Sequence, residues 1–578
     1  MQRLALYAAV FLGTFGIYMS NGAFLGAADS VATTEFALNA LQRHRLDFDE
    51  FEKSDFARGD AHYGFVQSHD HHLTTMFPIG TALLTFPAYA VLYVKYGAQP
   101  ITSPAYEQTR RRIEKTLAAL LAALCAVLFL ATALLVSTPL QAGVATVVFA
   151  LGTEMWTIGS QALWQHGPVN LILLAAIYST IRAARATRFA GIWLALAGFC
   201  CGFLPVIRPT ALIFAMAISA FLALRLRWRC APFVLGTAIG LAPGVLWNWH
   251  TFHSPFGGYE RDLDFFSANA HDVLVRVAGL LVSPSRGLFV YTPVFIFSII
   301  AMAALRRLPQ FEARLLLVLA FASAALVACY GFYDEWWGGW TYGPRFLTDV
   351  VGVGALLLAT WLPRDVTALS NGGMRARTAT VAFCIAAFAS IAVQYVGANA
   401  GAAGVDWNRI PYSIDEMPAR IWSLHDSQIQ RNLFAIYREK FDWKLAQGPE
   451  YRQGLRGQVV DLAVPSSVMP GAALRPNAVL TNAGRSVQYG YERGVFVGQA
   501  RVCVQILDAA GHLDSTQWLY IAQDVAPGAR VSAAGTLFAP SIPGSYALRA
   551  FPYALGIGPI AGSALTRALI VSGASRGR

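Results

Sequence analysis

Only 13% of the 578 residues are charged and 56% are hydrophobic, whereas a soluble domain carries about 25% charged residues, so an ordinary soluble globule is excluded. Apolar runs of about 20 residues recur without strict alternation, which reads as a polytopic α-helical membrane bundle, because only helices and closed barrels satisfy their backbone in lipid. The net charge of +11 is not a nucleic-acid signature: the arginines gather in short loops between apolar runs, as the positive-inside rule requires.

The first run, 4–25, follows Met1-Gln2-Arg3 and ends at Gly26-Ala27-Ala28-Asp29-Ser30. It is long, and the small-residue cleavage match is poor, so it reads as an uncleaved first helix. Asp29 then stands where a carboxylate touches both lipid and water, and a boundary acid is a functional-site hypothesis by default. The loop that follows, 27–75, carries Glu35, Asp47, Asp49, Glu50, Glu52, Asp55 and Asp60. Charge runs of this kind are usually solvated faces. Ser30–Leu41 can form an amphipathic helix with Phe36, Leu38 and Leu41 toward the membrane. His69-Asp70-His71-His72 offers imidazole and carboxylate ligands, yet adjacent residues cannot all face one ion, and metal binding is not favoured there.

Further apolar runs fall at 76–96, 116–137, 140–160, 166–184, 189–206, 209–224, 231–249, 288–304, 315–331, 346–362 and 378–396, giving about 11–12 spans. With Met1 inside, the clusters at Arg110–Lys115, Arg182–Arg188, Arg225–Arg229, Arg306–Arg314 and Arg364–Arg377 fall inside. Loops 27–75, 250–287 and 332–345, and everything after 397, fall outside. One conflict remains in this scheme: three apolar runs join Lys115 to Arg182, although two inside loops require an even number of crossings. The cysteines show neither a disulfide framework nor zinc spacing.

Several outer-boundary segments carry chemistry. Trp164-Gln165-His166-Gly167-Pro168 places a Trp and a His before a span, and Arg208-Pro209-Thr210 sits in a tight hairpin, where an arginine needs a partner or a phosphate. Ser283-Pro284-Ser285-Arg286-Gly287 adds another outer arginine. The loop Tyr330–Arg345 packs Asp334, Glu335, Trp336, Trp337, Trp340 and Tyr342 before Gly343-Pro344-Arg345. Trp and Tyr belts are common at headgroup level, but a belt requires neither the Asp-Glu pair nor Gly338-Gly339. Flat aromatic faces suit sugar rings, and Arg345 lies where it can grip a lipid phosphate bidentately.

After Tyr395 the character changes. Residues 397–455 form a polar, aromatic linker with helix-like pieces such as 426–444. From 456 to 578 apolar and polar residues alternate between Gly/Pro turns, with a hairpin turn at Asp508–His512. About seven short strands at this spacing predict a C-terminal extracytoplasmic β-sandwich, following a membrane domain of residues 1–396.

A first helix, an acid opening a large outer loop, a multi-span bundle and an exported β domain together resemble the GT-C superfamily, membrane glycosyltransferases that use polyprenyl-phosphate sugars. The stretches LTTMFPIGTALLTFP (73–87), ALWQHGP (162–168), SPSRGLFVYTP (283–293) and WWGGWTYGPRFLTD (336–349) are also similar to a group of bacterial membrane proteins. The resemblance implies a GT-C-like bundle, with Asp29 at the position of that superfamily's first-loop acid. This chain departs from the usual acidic pair, because Ser30 follows Asp29; the departure argues against a close tie to the oligosaccharyltransferases.

The expectation is therefore an inverting hexosyl- or pentosyltransferase in the bacterial inner membrane. It would move a sugar from a polyprenyl-phosphate donor to a hydroxyl of a glycan, lipid or protein, with no cofactor and a metal-independent mechanism favoured. Asp29 would be the general base and Arg345, Arg286 and Arg208 the donor-phosphate ligands. Trp336, Trp337, Trp340, Tyr342, Asp334, Glu335, His166 and His72 would line the substrate site. Two other classes stay open, a transporter or flippase of a lipid-linked sugar and a non-catalytic envelope-assembly protein, beside a second chemical route, a hydrolytic carboxylate pair. The last is disfavoured because hydrolysis needs no lipid-embedded bundle.

Overall fold

The computed structural model describes residues 2–51, 64–96, 103–262, 268–362, 373–401, 405–437, 448–492 and 497–572. Glu52, Asp55 and Asp60 of the first loop, Arg364, and 438–444 of the helix expected at 426–444 lie outside the described residues. The chain divides into two units: Met1–Gly338 with Tyr342–Asn399, and Gly339–Thr341 with Ala400–Arg578.

The first unit is helical. In chain order it contains α1 (Gln2–Met19), α2 (Ala28–Arg43), a hairpin of β1 (Phe65–Gln67) and β2 (Leu73–Thr75), α3 (Gly80–Tyr96), α4 (Pro104–Val136), α5 (Pro139–Leu151) and α6 (His166–Arg185). There follow α7 (Ala190–Ile207), α8 (Leu212–Leu226), α9 (Ala231–Phe252), α10 (Ala270–Val282), α11 (Leu288–Tyr291), α12 (Ile296–Ala301), α13 (Gln310–Gly331), α14 (Val351–Trp361) and α15 (Met374–Asn399). Among the described residues, seven helices are long and apolar enough to cross a membrane: α4, α6, α7, α8 with its lead-in, α9, α13 and α15. Three shorter apolar helices, α1, α3 and α5, accompany them. Local sequence sets the boundaries. Pro104 and Pro139 open α4 and α5, Ser103 caps α4, and Thr138 with Gln141 forms a capping box on α5.

Helices α7 and α9 run parallel at very close range because both carry glycines four residues apart. A Cβ on Gly198 would lie 2.0 Å from the Phe233 carbonyl, and one on Gly202 2.1 Å from that of Thr237. Gly236 and Gly240 are equally tight against Ala195 and Phe199, at 2.0 and 2.1 Å. Small residues at this spacing let helix backbones touch where lipid supplies no hydrophobic drive.

The structure corrects the expected placement of Arg110–Lys115. The Arg110 Nε lies 3.4 Å from Glu35 of α2, Lys115 Nζ donates to Gln161 at 2.6 Å, and the Leu163 amide donates to Glu114 at 3.1 Å. The start of α4 is therefore at the Asp29 end of the bundle, not the opposite one. Helix α3 does not separate the two: its buried Tyr89 packs with Ala37, Leu38, Tyr106, Ile113 and Leu117, beside α2 and the first turns of α4. At the other end, Arg185 of α6 donates to the Leu135 carbonyl of α4 at 2.6 Å, so α4 and α6 run the same way and α5 returns between them. Three helices of alternating direction then join Lys115 to Arg182, which lie at opposite ends of the bundle, and the requirement for an even number falls away. The run expected at 288–304 is also broken, into α11, a 3-10 turn at Pro293–Phe295, α12 and a further 3-10 turn at Met302–Arg307. Pro293 lacks the amide that would continue α11.

The second unit holds α16 (Gln428–Tyr437), α17 (Pro449–Gly454) and eleven strands. Nine of them form one sheet: β3 (Gly457–Ala463), β6 (Asn477–Asn482), β9 (Arg530–Ala534), β8 (Leu513–Ile521), β7 (Ala500–Leu507), β11 (Gly544–Ala554), β13 (Leu565–Val571) and β4 (Ser467–Val468) in that order, with β12 (Gly558–Pro559) on β11. β5 (Ala473–Leu474) and β10 (Leu537–Phe538) pair separately. The sheet curls: Gly457 at the start of β3 donates to the Ala561 carbonyl at 3.0 Å, and Asp461 of β3 meets Arg567 of β13 at 3.3 Å. Val459, Leu480, Val504, Leu519, Leu548 and Leu569 fill the enclosed core. The hairpin at Asp508–His512 joins β7 to β8, with Gly511 at φ +84°. The two-residue strands β4, β5, β10 and β12 are too short to leave a period-2 pattern, which is why seven strands were expected.

Candidate active site

The first unit gathers charged side chains at the Asp29 end. Asp29 lies in the first turn of α2. The chain ahead of it is fastened to the segment before α6: Leu25 donates to the Gln161 carbonyl at 3.5 Å, and Trp164 Nε1 donates to the Leu25 carbonyl at 3.1 Å. Arg345 follows Gly343-Pro344 and opens a 3-10 turn, Arg345–Val350, into α14. Gly343 has φ +70°, and a Cβ there would sit 2.5 Å from the Tyr291 ring, so glycine is required where the chain turns inward. Arg345 forms an ion pair with Asp29. Its guanidinium lies 4.6 Å from the Trp164 ring centroid and 5.2 Å from that of Phe346.

Arg208 is held differently. It ends α7, where Pro209 prevents regular continuation. Its NH2 donates to the Tyr330 hydroxyl at 2.9 Å, its Nε to Thr210 at 3.1 Å, and its NH1 to Gln165 at 3.2 Å. The fully buried Asp349 lies 3.2 Å away through Oδ2. The other oxygen of Asp349 is 2.7 Å from His166 Nδ1. A carboxylate accepts, so Nδ1 carries the proton and Nε2 of a neutral His166 is left as an acceptor. Sequence reading picked out His166, Arg208 and Arg345, but missed Asp349, which joins two of them.

Buried polar atoms in this neighbourhood without a hydrogen-bond partner in the structure include Gln165 Nε2, His166 Nε2, Asn170 Oδ1, Arg345 Nε, Thr348 Oγ1 and Asp349 Oδ2, the last facing Arg208 only as an ion pair. Buried polar groups are ordinarily satisfied, and a cluster of open donors and acceptors beside two arginines is what a polar ligand would complete. Lys115 was also missed. It is 6% exposed, and the one hydrogen bond described for its ammonium goes to Gln161, which also accepts from Asn21 at 2.7 Å. A lysine inside a long apolar helix needs a compensating anion, yet beside Arg110-Arg111-Arg112 it also fits a positive-inside cluster.

The remaining candidates are held by other contacts. Arg286 is fully buried, with Nε donating to the Trp337 carbonyl at 2.9 Å and NH1 to the Ser285 carbonyl at 2.7 Å; it ties the aromatic loop to the segment after α10. Trp336 is buried against Gly279 of α10 and meets Trp337 edge-on at 6.1 Å. The Tyr342 hydroxyl donates to the Val393 carbonyl at 2.9 Å, its ring packed on Tyr291 and Gly397. Asp334 is exposed and pairs with Arg276 at 2.6 Å, and Glu335 is exposed. Trp340 belongs to the second unit, where it donates to Asp415 at 2.7 Å. His72 lies on the exposed hairpin between β1 and β2, 2.7 Å from Asp49, whose carboxylate holds the imidazole above its ordinary pKa. The His69–His72 side chains do not converge: the His69 ring lies 4.0 Å from that of His253.

Behind Asp29, α2 is anchored by a charged cluster. Arg110 faces Glu35 at 3.4 Å and both Glu107 and Glu114 at 2.8 Å, and Tyr106 donates to Glu35. Burial pushes the Glu35 carboxyl up to about 7, against the lowering pull of Arg110 and Tyr106. A folded pKa above the unfolded one means that the proton stabilises the fold. That stability is complete below about 4.5 and is lost as pH rises through about 7. In detergent, the melting temperature of the protein should fall between these values. Glu35→Gln, which keeps the neutral form at every pH, should flatten that stretch of the profile and be the more stable form at pH 8, by on the order of 2 kcal/mol. An unchanged slope in the variant would assign the pH dependence to another group.

No family model matches the sequence, and no curated protein matches it. Among solved structures, the chain is similar to ArnT from Cupriavidus metallidurans in the apo state, at 12% identity over 92% of this chain and 97% of that one, with a TM-score of 0.43. It is also similar to the arabinosyltransferase EmbB from Mycobacterium smegmatis, at 13% identity over 98% of this chain and 64% of that one, with a TM-score of 0.39.

Proposed function

We propose that the protein is an inverting glycosyltransferase of GT-C type, moving a sugar from a polyprenyl-phosphate donor to an acceptor hydroxyl at the extracytoplasmic face of the bacterial inner membrane. The observation that carries this reading is the Asp29–Arg345 pair at one end of an apolar helical bundle, with Arg208 held close by through Asp349 and Gln165. A base and phosphate-binding cations stand together where a lipid headgroup would lie.

The chemistry is one displacement. The acceptor oxygen attacks the anomeric carbon while Asp29 takes its proton. The bond from the anomeric carbon to the phosphate oxygen breaks, and its electron pair leaves with the polyprenyl phosphate. Arg345 and Arg208 offset the charge that develops there, in a site largely closed to water. The acceptor attacks from the face opposite the departing phosphate, so the anomeric configuration inverts. Nothing in this scheme calls for a metal.

The test supplies the purified protein in vesicles with a polyprenyl-phosphate sugar labelled in both parts and envelope extract as acceptor. The expected result is free polyprenyl phosphate together with label in a product of inverted configuration. If the intact donor instead crosses the bilayer, the protein is a transporter. If the donor remains whole and does not move, the transferase reading is lost.

A further inference from the structure

We propose that Arg345 keeps Asp29 out of action until the donor arrives, and that the donor's phosphate frees the base by taking the guanidinium from it. The inference rests on the transferase reading above and adds to it a second role for Arg345, as the residue that masks and unmasks the base.

The two arginines differ in how they are held. Arg208 is bonded to Tyr330, Thr210 and Gln165, and the buried Asp349 compensates its charge. It is fixed and neutralised before any ligand binds. Arg345 has Asp29 as its ion-pair partner, its Nε is buried without a hydrogen-bond partner, and its guanidinium carbon lies 4.6 Å from the Trp164 ring centroid and 5.2 Å from that of Phe346. Cation–π attraction fixes a guanidinium less directionally than the three hydrogen bonds that hold Arg208. The Asp29 side chain is 21% exposed and that of Arg345 is 9% exposed, so the pair is reachable from outside.

Charge then decides the order of events. Without donor, Asp29 and Arg345 cancel, and a carboxylate beside a guanidinium is a weak base. A phosphodiester brings one more negative charge and offers oxygens that match the guanidinium fork. Once Arg345 turns to the phosphate, Asp29 loses its cation and gains a neighbouring anion. Both changes raise its proton affinity. The base is thus made strong by the substrate it serves.

The test follows Asp29 by its reaction with a water-soluble carbodiimide, read by peptide mass spectrometry on the full-length protein in lipid nanodiscs. Polyprenyl phosphate is the probe and the phosphate-free polyprenol the control. Release from Arg345 shifts a carboxyl by about one pKa unit or more, so labelling of Asp29 should rise about tenfold with the phosphate and not with the alcohol. Arg345→Gln should label rapidly with no lipid and ignore the phosphate. Labelling of the wild type that is unchanged or slower with bound phosphate overturns the proposal, as does slow labelling of Arg345→Gln. Binding of the probe is measured separately by native mass spectrometry. If the lipid phosphate does not bind, the donor reading fails together with this one; if it binds without altering Asp29, only the masking role is lost.

Discussion

Asp29→Asn should lower donor turnover by about 10²–10⁴-fold, the usual contribution of a general base, while leaving donor affinity equal or tighter. The affinity follows from the structure: with an amide at position 29 the Arg345 guanidinium has no carboxylate to leave, and its charge is open to the phosphate. Stability should fall by about 1–3 kcal/mol, because the 9% exposed Arg345 loses its counter-charge while the amide oxygen at position 29 still accepts from it. The measurement is kcat and KM for lipid-phosphate release by the well-folded variant. Normal turnover would remove Asp29 from the mechanism, and a rise in KM with kcat unchanged would make it a binding residue instead.

Asp349→Ala is the second large effect. Asp349 is fully buried, and its carboxylate lies 2.7 Å from His166 and 3.2 Å from Arg208. Removing it leaves a buried cation without its counter-charge, which costs about 3–5 kcal/mol. Asp349→Asn should cost less, because its amide oxygen still accepts the His166 proton and Arg208 keeps Tyr330, Thr210 and Gln165. Both should be read by thermal unfolding in detergent. Where the Asn variant folds, a misplaced Arg208 should lower kcat/KM by about a hundredfold, as small displacements of positioning groups do. An alanine variant as stable as the wild type would mean that the ion pair carries no weight in the fold.

Much of the architecture is legible in the residues, because lipid imposes long apolar helices. What misleads is that an apolar helix looks the same whether it crosses the bundle or lies beside it. Helix α3 is such a case, and Tyr89 at its centre packs on α2 and α4 at the Asp29 end. Arg110-Arg111-Arg112 resembles an inside-loop marker, but Arg110 is balanced by Glu35, Glu107 and Glu114, and one of those acids comes from another helix. Lone charges at span ends point to Asp29, Arg208 and Arg345 because each is costly without a purpose. The link between His166 and Asp349 joins residues 183 positions apart, and no local pattern announces it. The aromatic loop stands out by composition, yet the burial of Trp336 depends on Gly279 of a different helix.

The glycine seam between α7 and α9 sets the mechanical character of the site. Two helices whose backbones touch at Gly198, Gly202, Gly236 and Gly240 brace one another, and Arg208 is mounted at the tip of one of them. Arg345 instead hangs from a glycine-proline turn and a single 3-10 turn. A lipid headgroup bound as proposed would meet Arg208 on the more firmly braced mount and Arg345 on the lighter one. In the transferase proposed above, differences in the size of the sugar would be taken up on the Arg345 side, and donor tolerance would follow from how far that side chain can turn.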